Sequence, residues 1–340
     1  MDWAELYRRD GMLVLSDLLT DVEIAHLRAH CDERRAGMTD AELCNNDCVL
    51  EASNMPPESV AARTDPDSYL RVRHPNESTG CATRMPLLGQ LLMCKLPAVV
   101  VAACGSSSDS AIDRAPCLFN EHFVVKPQRM AGEFTWHTDV AHQLEALFAL
   151  GRPAEMVEDD YLSVWMPLDD VHDDNGPLLL LPLSSAQPPD APYHLPASES
   201  CRAWLASAAG VVSASGLAAG SAVVFSSRLW HCSLPNRSDG CRRVFYAQYS
   251  AEPIVDARTA PLALAVRTSP DAKLLPDASR VVELARNLQG ERASTHGAMH
   301  HVSHAGPRVD GVNVEAQADR GFGSPSRAKR HKSRKESLYG

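Results

Sequence analysis

The 340-residue sequence has no run of about 20 apolar residues free of charge and proline, the length a helix needs to cross a bilayer. Its most apolar stretch, Met85 to Cys104, contains Lys95 and Pro97, and predicts a buried helix broken near Pro97 with no membrane span. No paired CxxC spacing occurs among the ten cysteines, and no secretory signal precedes them. These absences argue against a disulfide framework and for reduced thiols in an intracellular protein, cytoplasmic by default. Cys44 and Cys48 are close in sequence but lack a second pair, so no zinc site is expected there. Excess positive charge is missing too. The net charge of −10 argues against nucleic-acid binding by the folded body.

Hydrophobic residues, in contrast, reach 44%, enough for the core of one large domain or two small ones. Trp3 to Gly11 reads as a short helix closed by glycine, and Met12 to Leu15 as a strand. Thr20-Asp21-Val22-Glu23 is a capping-box pattern that opens a helix to about Arg35, with Ile24, Leu27 and Cys31 on one face. Residues 36–80 are polar and poorly periodic, and read as a long insertion, either a lid or a disordered surface loop. From Cys117 the pattern turns to strands: Leu118 to Lys126, Phe134 to Asp139, Leu162 to Leu168, Leu178 to Pro182, Ser221 to Phe225, Leu229 to Ser233 and Val244 to Ser250. Asn175-Gly176 predicts a tight hairpin between two of these, and Pro235 to Gly240 a turn-rich connection between two more. Short helices are expected within Leu195 to Ala209, and from an Asp277 cap across Val281, Val282 and Leu284 to Gly290. Many short strands with turn signals imply a mainly β domain with flanking α-helices, an antiparallel barrel or jelly roll, over residues 1–290. Residues 291–340 read as a disordered tail. Its basic run, Arg327 to Lys335, reads as solvated charge or as a nuclear address.

His137-Thr138-Asp139 is one of three His-x-Asp spacings in the chain. His30-Cys31-Asp32 falls on the helix after Thr20, where residues two apart do not share a face. His172-Asp173-Asp174 falls in a polar turn. Only His137 and Asp139 have strand-like flanks, and on a strand residues i and i+2 point the same way. One more histidine on a neighbouring strand would complete a two-His, one-carboxylate face, the donor set of non-haem Fe(II) oxygenases. His231, on a late strand, fits. An arginine buried beside such a face needs an anion, and a dicarboxylate such as 2-oxoglutarate offers one. Arg237, Arg242 and Arg243 all follow His231 closely. Arg237 falls in the turn. Arg242 and Arg243 are adjacent at a strand start, so one looks into the barrel and the other out.

Taken in order, the motifs resemble the phytanoyl-CoA dioxygenase family of Fe(II)- and 2-oxoglutarate-dependent oxygenases over roughly residues 5–252. They are Tyr7-Arg8-Arg9-Asp10-Gly11-Met12-Leu13-Val14-Leu15, Val125-Lys126-Pro127, Trp136-His137-Thr138-Asp139, Val164 to Val171, Asn175-Gly176-Pro177-Leu178, His231 to Asn236, and Arg242. The resemblance implies a double-stranded β-helix, a cupin-like jelly roll. It implies iron ligation by His137, Asp139 and His231, with dioxygen as oxidant. It selects Arg242 for 2-oxoglutarate, with Lys126, Trp165 and Ser233 lining the co-substrate pocket. Related halogenases lack the carboxylate ligand, so Asp139 implies hydroxylation, with succinate and carbon dioxide as co-products.

Leu181-Pro182-Leu183-Ser184-Ser185 departs from the Pro-Gly-Ser-His usual in the family, and residues 36–80 and the tail have no obvious counterpart. These segments lie where substrate selectivity is expected. The expected substrate is a small molecule, an acyl-CoA or another lipid, and the expected state is a monomer. The rival reading is a non-catalytic β-helix protein that binds a ligand or partner. The intact ligand set argues against it.

Overall fold

Helix α1 (Trp3–Asp10) starts on the Asp2 side chain and stops at Gly11, whose φ of 69° is left-handed. A Cβ on Gly11 would also lie 2.7 Å from Leu183 Cδ1. The chain passes directly into β1 (Met12–Leu15). Helix α2 (Asp21–Arg35) opens on the expected capping box between Thr20 and Glu23, and buries Ile24, Leu27 and Cys31. This computed structural model describes residues 2–46, 48–52, 69–70, 87–105, 115–130, 134–141, 161–251 and 266–286. The chain divides into two units, Met1–Gly297 and Ala298–Gly340, and all described residues belong to the first. The expected disordered tail and basic run lie outside the described residues.

The expected insertion is in part built into the fold. Helix α3 (Asp40–Asn45), capped by Thr39 and Glu42, leads into β2 (Val49–Glu51), which pairs with a central strand in the register Val49↔Val124. Leu43, Leu50, Ala52, Tyr69 and Leu70 all join the main core. These elements are too short to express a period, which is why the segment reads as irregular. The rest of the insertion lies outside the described residues.

Pro97 does not break its helix. Helix α4 (Leu87–Cys104) is continuous, but Leu91–Lys95 is wound as a π-helix, with the Leu96 N–H bonded to the Leu91 carbonyl. A proline removes one N–H donor and crowds the carbonyl four residues back. The wider turn makes room, and outside donors take the freed carbonyls: Ser269 N–H donates to Met93 O (2.8 Å) and Asp271 N–H to Cys94 O (3.1 Å). By length and composition this 18-residue helix could cross a membrane, yet 61% of it is buried within the fold. Its lysine, Lys95, donates to Glu23 of α2 at 2.8 Å.

Two antiparallel sheets form the jelly roll. The first joins β1 and β2 with β3 (Cys117–Lys126), β5 (Tyr161–Pro167), β8 (Ala222–Ser226), β10 (Arg242–Ser250) and β11 (Val266–Arg267), in the order β1-β8-β5-β10-β3-β11 with β2 alongside β3. The second contains β4 (Phe134–His137), β6 (Leu178–Leu180), β7 (Val212–Ser213), β9 (His231–Ser233) and β12 (Ala285–Arg286), in the order β12-β7-β6-β9-β4. Alternation along β5 separates two cores. Leu162, Val164 and Met166 pack with α1, α2 and α4 on the outside, while Trp165 joins Val223, Phe225, Val244 and Tyr246 between the sheets. Helix α5 (Glu199–Ser207) covers the outer face of the second sheet through Cys201 and Leu205.

Two expectations fail. Asn175-Gly176 is not a hairpin turn, because β5 and β6 lie in different sheets and the segment carries the chain across. Asn175 instead ties the crossover, donating to Asp170 O and accepting from His172 N–H. Gly176 has φ of 81°, and a Cβ there would sit 2.5 Å from Leu234 O. The dipeptide encodes the local turn, not the sheet that the next strand joins. The helix expected after Asp277 is a single 3-10 turn, Ala278–Arg280, followed by an extended segment that bridges Val281 to Leu15 and leads to β12. Bonding to the first sheet outweighs the helical spacing of Val281 and Leu284.

Candidate active site

His137 and His231 face each other across the β4–β9 pair as direct register partners, with ring centroids 4.2 Å apart. Phe134 pairs with Ser233 and His137 with His231, so β4 carries one extra residue. Such a bulge re-aims side chains and is common beside active sites. The strand ends at His137, two residues short of the expected Asp139. Asp139 opens a short helical turn, so the pair meets through that turn and not through strand alternation. The ligand atoms of His137, Asp139 and His231 all lie within 4.8 Å of one another. Neither of the other His-x-Asp pairs takes part: His172 is exposed, and His30 stacks edge-on against Phe123 on α2's inner side.

Hydrogen bonds orient all three side chains. His137 Nδ1 lies 2.7 Å from Thr135 O, and His231 Nδ1 lies 2.9 Å from Leu229 O. A carbonyl can only accept, so each Nδ1 carries the proton and each Nε2 is left with a lone pair. His231 Nε2 lies 3.6 Å from Asp139 Oδ1. The other oxygen, Oδ2, accepts from Tyr246 OH (2.6 Å), from Gln248 Nε2 (3.3 Å) and from Ser163 Oγ. Burial pushes the Asp139 carboxyl up, but His231, His137 and the bonds from Ser163 and Tyr246 outweigh it and hold it below the usual carboxylate range. Two imidazole lone pairs and one carboxylate oxygen therefore converge on one point, and this donor set fits Fe(II) with positions to spare.

Ser163, Tyr246 and Gln248, which anchor the carboxylate, are not among the site residues expected from the sequence. The signal was there in part, since Tyr246 and Gln248 share the strand parity of Arg242.

Arg242 and Arg243 divide as strand parity requires. Arg243 faces out, bonded through Nε and Nη2 to Asp169 at 3.0 and 2.7 Å and through Nη1 to Asp32 at 2.9 Å. The hydrogen bond to Asp169 leads in raising its pKa. Arg242 faces in and is wholly buried, and none of its three guanidinium nitrogens has a hydrogen-bond partner among the described residues. Its guanidinium carbon lies 5.6 Å from the centre of the Trp165 ring. Burial pushes its pKa down to about 10. Lys126 is its cross-strand partner on β3, also wholly buried, with Nζ donating to Ser233 O (3.1 Å) and Leu234 O (2.5 Å). Arg237 is exposed in the turn. All seven residues singled out from sequence thus lie on strands lining the space between the sheets, or at their ends. The departing segment around Leu183 docks elsewhere: its N–H donates to Asp10 O, and Ser184 Oγ to the Asp10 carboxylate.

The family model described as Phytanoyl-CoA dioxygenase (PhyH) matches residues 7–244. No curated protein sequence matches the chain. Among solved structures, AviO1 from Streptomyces viridochromogenes Tue57 is 24% identical, with 76% of this chain and 96% of that one covered and a TM-score of 0.43. EvdO2 from Micromonospora carbonacea var. aurantiaca, complexed with 2-oxoglutarate, is 20% identical over 73% and 89%, with a TM-score of 0.43. EctD from S. alaskensis, with 2-oxoglutarate and 5-hydroxyectoine, is 19% identical over 80% and 86%, with a TM-score of 0.44. The family match covers most of the chain and contains the whole ligand triad, so the protein belongs to the phytanoyl-CoA dioxygenase family and is a 2-oxoglutarate-dependent oxygenase that works with Fe(II) and dioxygen.

Proposed function

We propose that residues 1–290 form a hydroxylase in which His137, Asp139 and His231 hold Fe(II) and Arg242 holds the far carboxylate of 2-oxoglutarate. The substrate is a small molecule or a lipid such as an acyl-CoA. When bound, the iron and 2-oxoglutarate supply the oxidising power for adding oxygen to a substrate C–H bond, releasing succinate and carbon dioxide. The chain's own part is geometric and electrostatic. Leu229 O and Thr135 O fix the imidazole tautomers, and Tyr246, Ser163 and Gln248 fix the carboxylate. Asp139 fills the position that related halogenases leave for chloride, which favours hydroxylation.

The observation that carries this reading is the buried, unpartnered Arg242 guanidinium. A charge without a partner in an apolar interior is costly, and a second buried cation, Lys126, lies directly opposite. A carboxylate bound between the sheets supplies the partner that Arg242 lacks, and the planar guanidinium suits it bidentately. Lys126, Trp165 and Ser233 complete that end of the pocket. The test is succinate formation from 2-oxoglutarate by the Fe(II)-loaded protein. Turnover that requires Fe(II) and fails in His231→Ala is the expected result, whereas 2-oxoglutarate left unconsumed under all conditions leaves a binding protein.

A further inference from the structure

Arg242 is not the only buried polar group left without a partner. The hydroxyl of Tyr161 is buried and has no hydrogen-bond partner among the described residues, although the residue as a whole is fully buried. Tyr161 opens β5 and points between the sheets with Ser163 and Trp165, because Leu162, Val164 and Met166 pack on the opposite, helix-covered face. Its backbone is tied to the ligand loop: Tyr161 O accepts from Ser227 N–H, and Ser227 O accepts from Val140 N–H.

The inward row on β5 orders the pocket. Trp165 lies against Arg242, Ser163 bonds the Asp139 carboxylate, and Tyr161 comes next beyond Ser163. At about 3.3 Å per residue, Tyr161 stands roughly 13 Å along the strand from Trp165. On the hydroxylase reading, a co-substrate reaching from the ligand triad to Arg242 would lie on the Trp165 side, and Tyr161 stands at the other end of the row.

The chemistry at this end differs from that at the Arg242 end. Phe119 meets the Tyr161 ring edge-on at 5.0 Å, and Ser250 is the cross-strand partner of Tyr161. The nearby amides are already committed, with Asn120 Nδ2 donating to Gln248 Oε1 and Gln248 Nε2 to Ser163 Oγ. Phe119, Asn120, Tyr161 and Ser250 are all uncharged, whereas Arg242 and Lys126 mark the other end. Burial, with the nearby Asp139 charge, pushes the Tyr161 phenol well above its usual range, so it keeps its proton and its hydroxyl is free to donate to an oxygen acceptor.

Building on the hydroxylase reading, we propose that Tyr161 is a substrate-binding residue whose hydroxyl donates to a neutral oxygen (alcohol, ether or ketone) of a compact, partly apolar substrate held on the side of the ligand triad away from Arg242. The experiment compares wild type with Tyr161→Phe, both loaded with Fe(II) and 2-oxoglutarate. One set of probes is neutral: cyclohexanol, cyclohexanone and methyl β-glucoside. The other is charged: palmitoyl-CoA and lysine. At least one neutral probe should raise succinate formation in the wild type, and Tyr161→Phe should lower kcat/KM for that probe by roughly threefold to tenfold, mainly through KM. The variant's thermal midpoint should match or exceed that of wild type, because the removed hydroxyl bonds none of the described residues. Stimulation by charged probes alone, by no probe, or equally in both proteins overturns the inference. So does a midpoint lowered by the substitution, which would reveal a structural bond. If wild type forms no succinate at all, even without probe, the oxygenase reading falls and takes this inference with it.

Discussion

His137 and His231 use one device twice. Each imidazole gives its Nδ1 proton to the carbonyl two residues before it, Thr135 O or Leu229 O, and so presents Nε2. Asp139 is held by side chains from two other strands, Ser163 on β5 and Tyr246 and Gln248 on β10, with the Tyr246 hydroxyl 2.6 Å from its carboxylate. Removing a hydrogen bond to a ligating carboxylate typically lowers metal affinity by about 10- to 100-fold. Tyr246→Phe should therefore weaken binding of Mn(II), used as a redox-inert stand-in, by about that factor in a calorimetric titration with the fold intact. Unchanged affinity would show that Tyr246 does not tune the site. Arg242 yields a prediction of two opposite signs. Its pKa is pushed down by burial, so below about 10 the folded state carries a charge that the unfolded chain hydrates better. Arg242→Met should raise the thermal midpoint of the ligand-free protein by a few degrees, yet raise KM for 2-oxoglutarate about tenfold or more, since a charge-assisted pair is lost. Arg243→Ala should instead lower the midpoint, losing the Asp169 and Asp32 bonds, and leave KM unchanged. Sequence parity separated the two arginines into opposite faces. It could not say which face was inward, because that depends on which carboxylates the other elements bring, and Asp32 and Asp169 are distant in sequence.

Elements were legible where a local signal acts locally. The Thr20 capping box, the Gly11 stop and the succession of strands from Cys117 to Ser250 appear where the residues placed them, although β4, β6 and β9 are shorter than expected. They were illegible where a distant partner decides. Pro97 stays inside α4 because Ser269 and Asp271, far along the chain, satisfy the carbonyls it frees. Val281 lies extended because β1 offers it an edge. Asn175-Gly176 turns the chain as expected but sends it to the other sheet. Glu23 combines local and distant roles, since one carboxylate oxygen caps α2 at Thr20 N–H and also accepts from Lys95 of α4. Thr20→Ala should cost about 1 kcal/mol in urea unfolding, the usual worth of a cap. Glu23→Ala should cost more, about 3–5 kcal/mol, because it also strands the mostly buried Lys95 ammonium. Adding Lys95→Met to Glu23→Ala should recover much of that loss. No recovery would mean the cap carries the whole effect.

At the scale of the molecule, the site is divided between the two sheets. His137 and His231 belong to the second sheet, on β4 and β9, and Arg242 and Lys126 to the first, on β10 and β3. The sequence pattern could supply strands and faces, but not this division, since antiparallel strands of either sheet alternate alike. The division has a mechanical consequence. On the proposed reading, a metal alone would contact the second sheet and the Asp139 turn, with the first sheet involved only through the side chains that hold Asp139. A 2-oxoglutarate that bridged from that metal to Arg242, as proposed, would link the sheets directly. Ligands that bind only the folded state stabilise it by about 2.7 kcal/mol at a hundredfold excess over Kd. Hydrogen exchange should read where that stabilisation falls. Mn(II) alone should slow exchange mainly in β4 and β9. Adding 2-oxoglutarate should extend protection to the start of β10 and the facing end of β3. In Arg242→Met the metal-dependent protection should persist and the second increment should vanish. If 2-oxoglutarate protects only the second sheet in the wild type, its far carboxylate does not reach Arg242, and the buried cation pair on β10 and β3 serves some other anion.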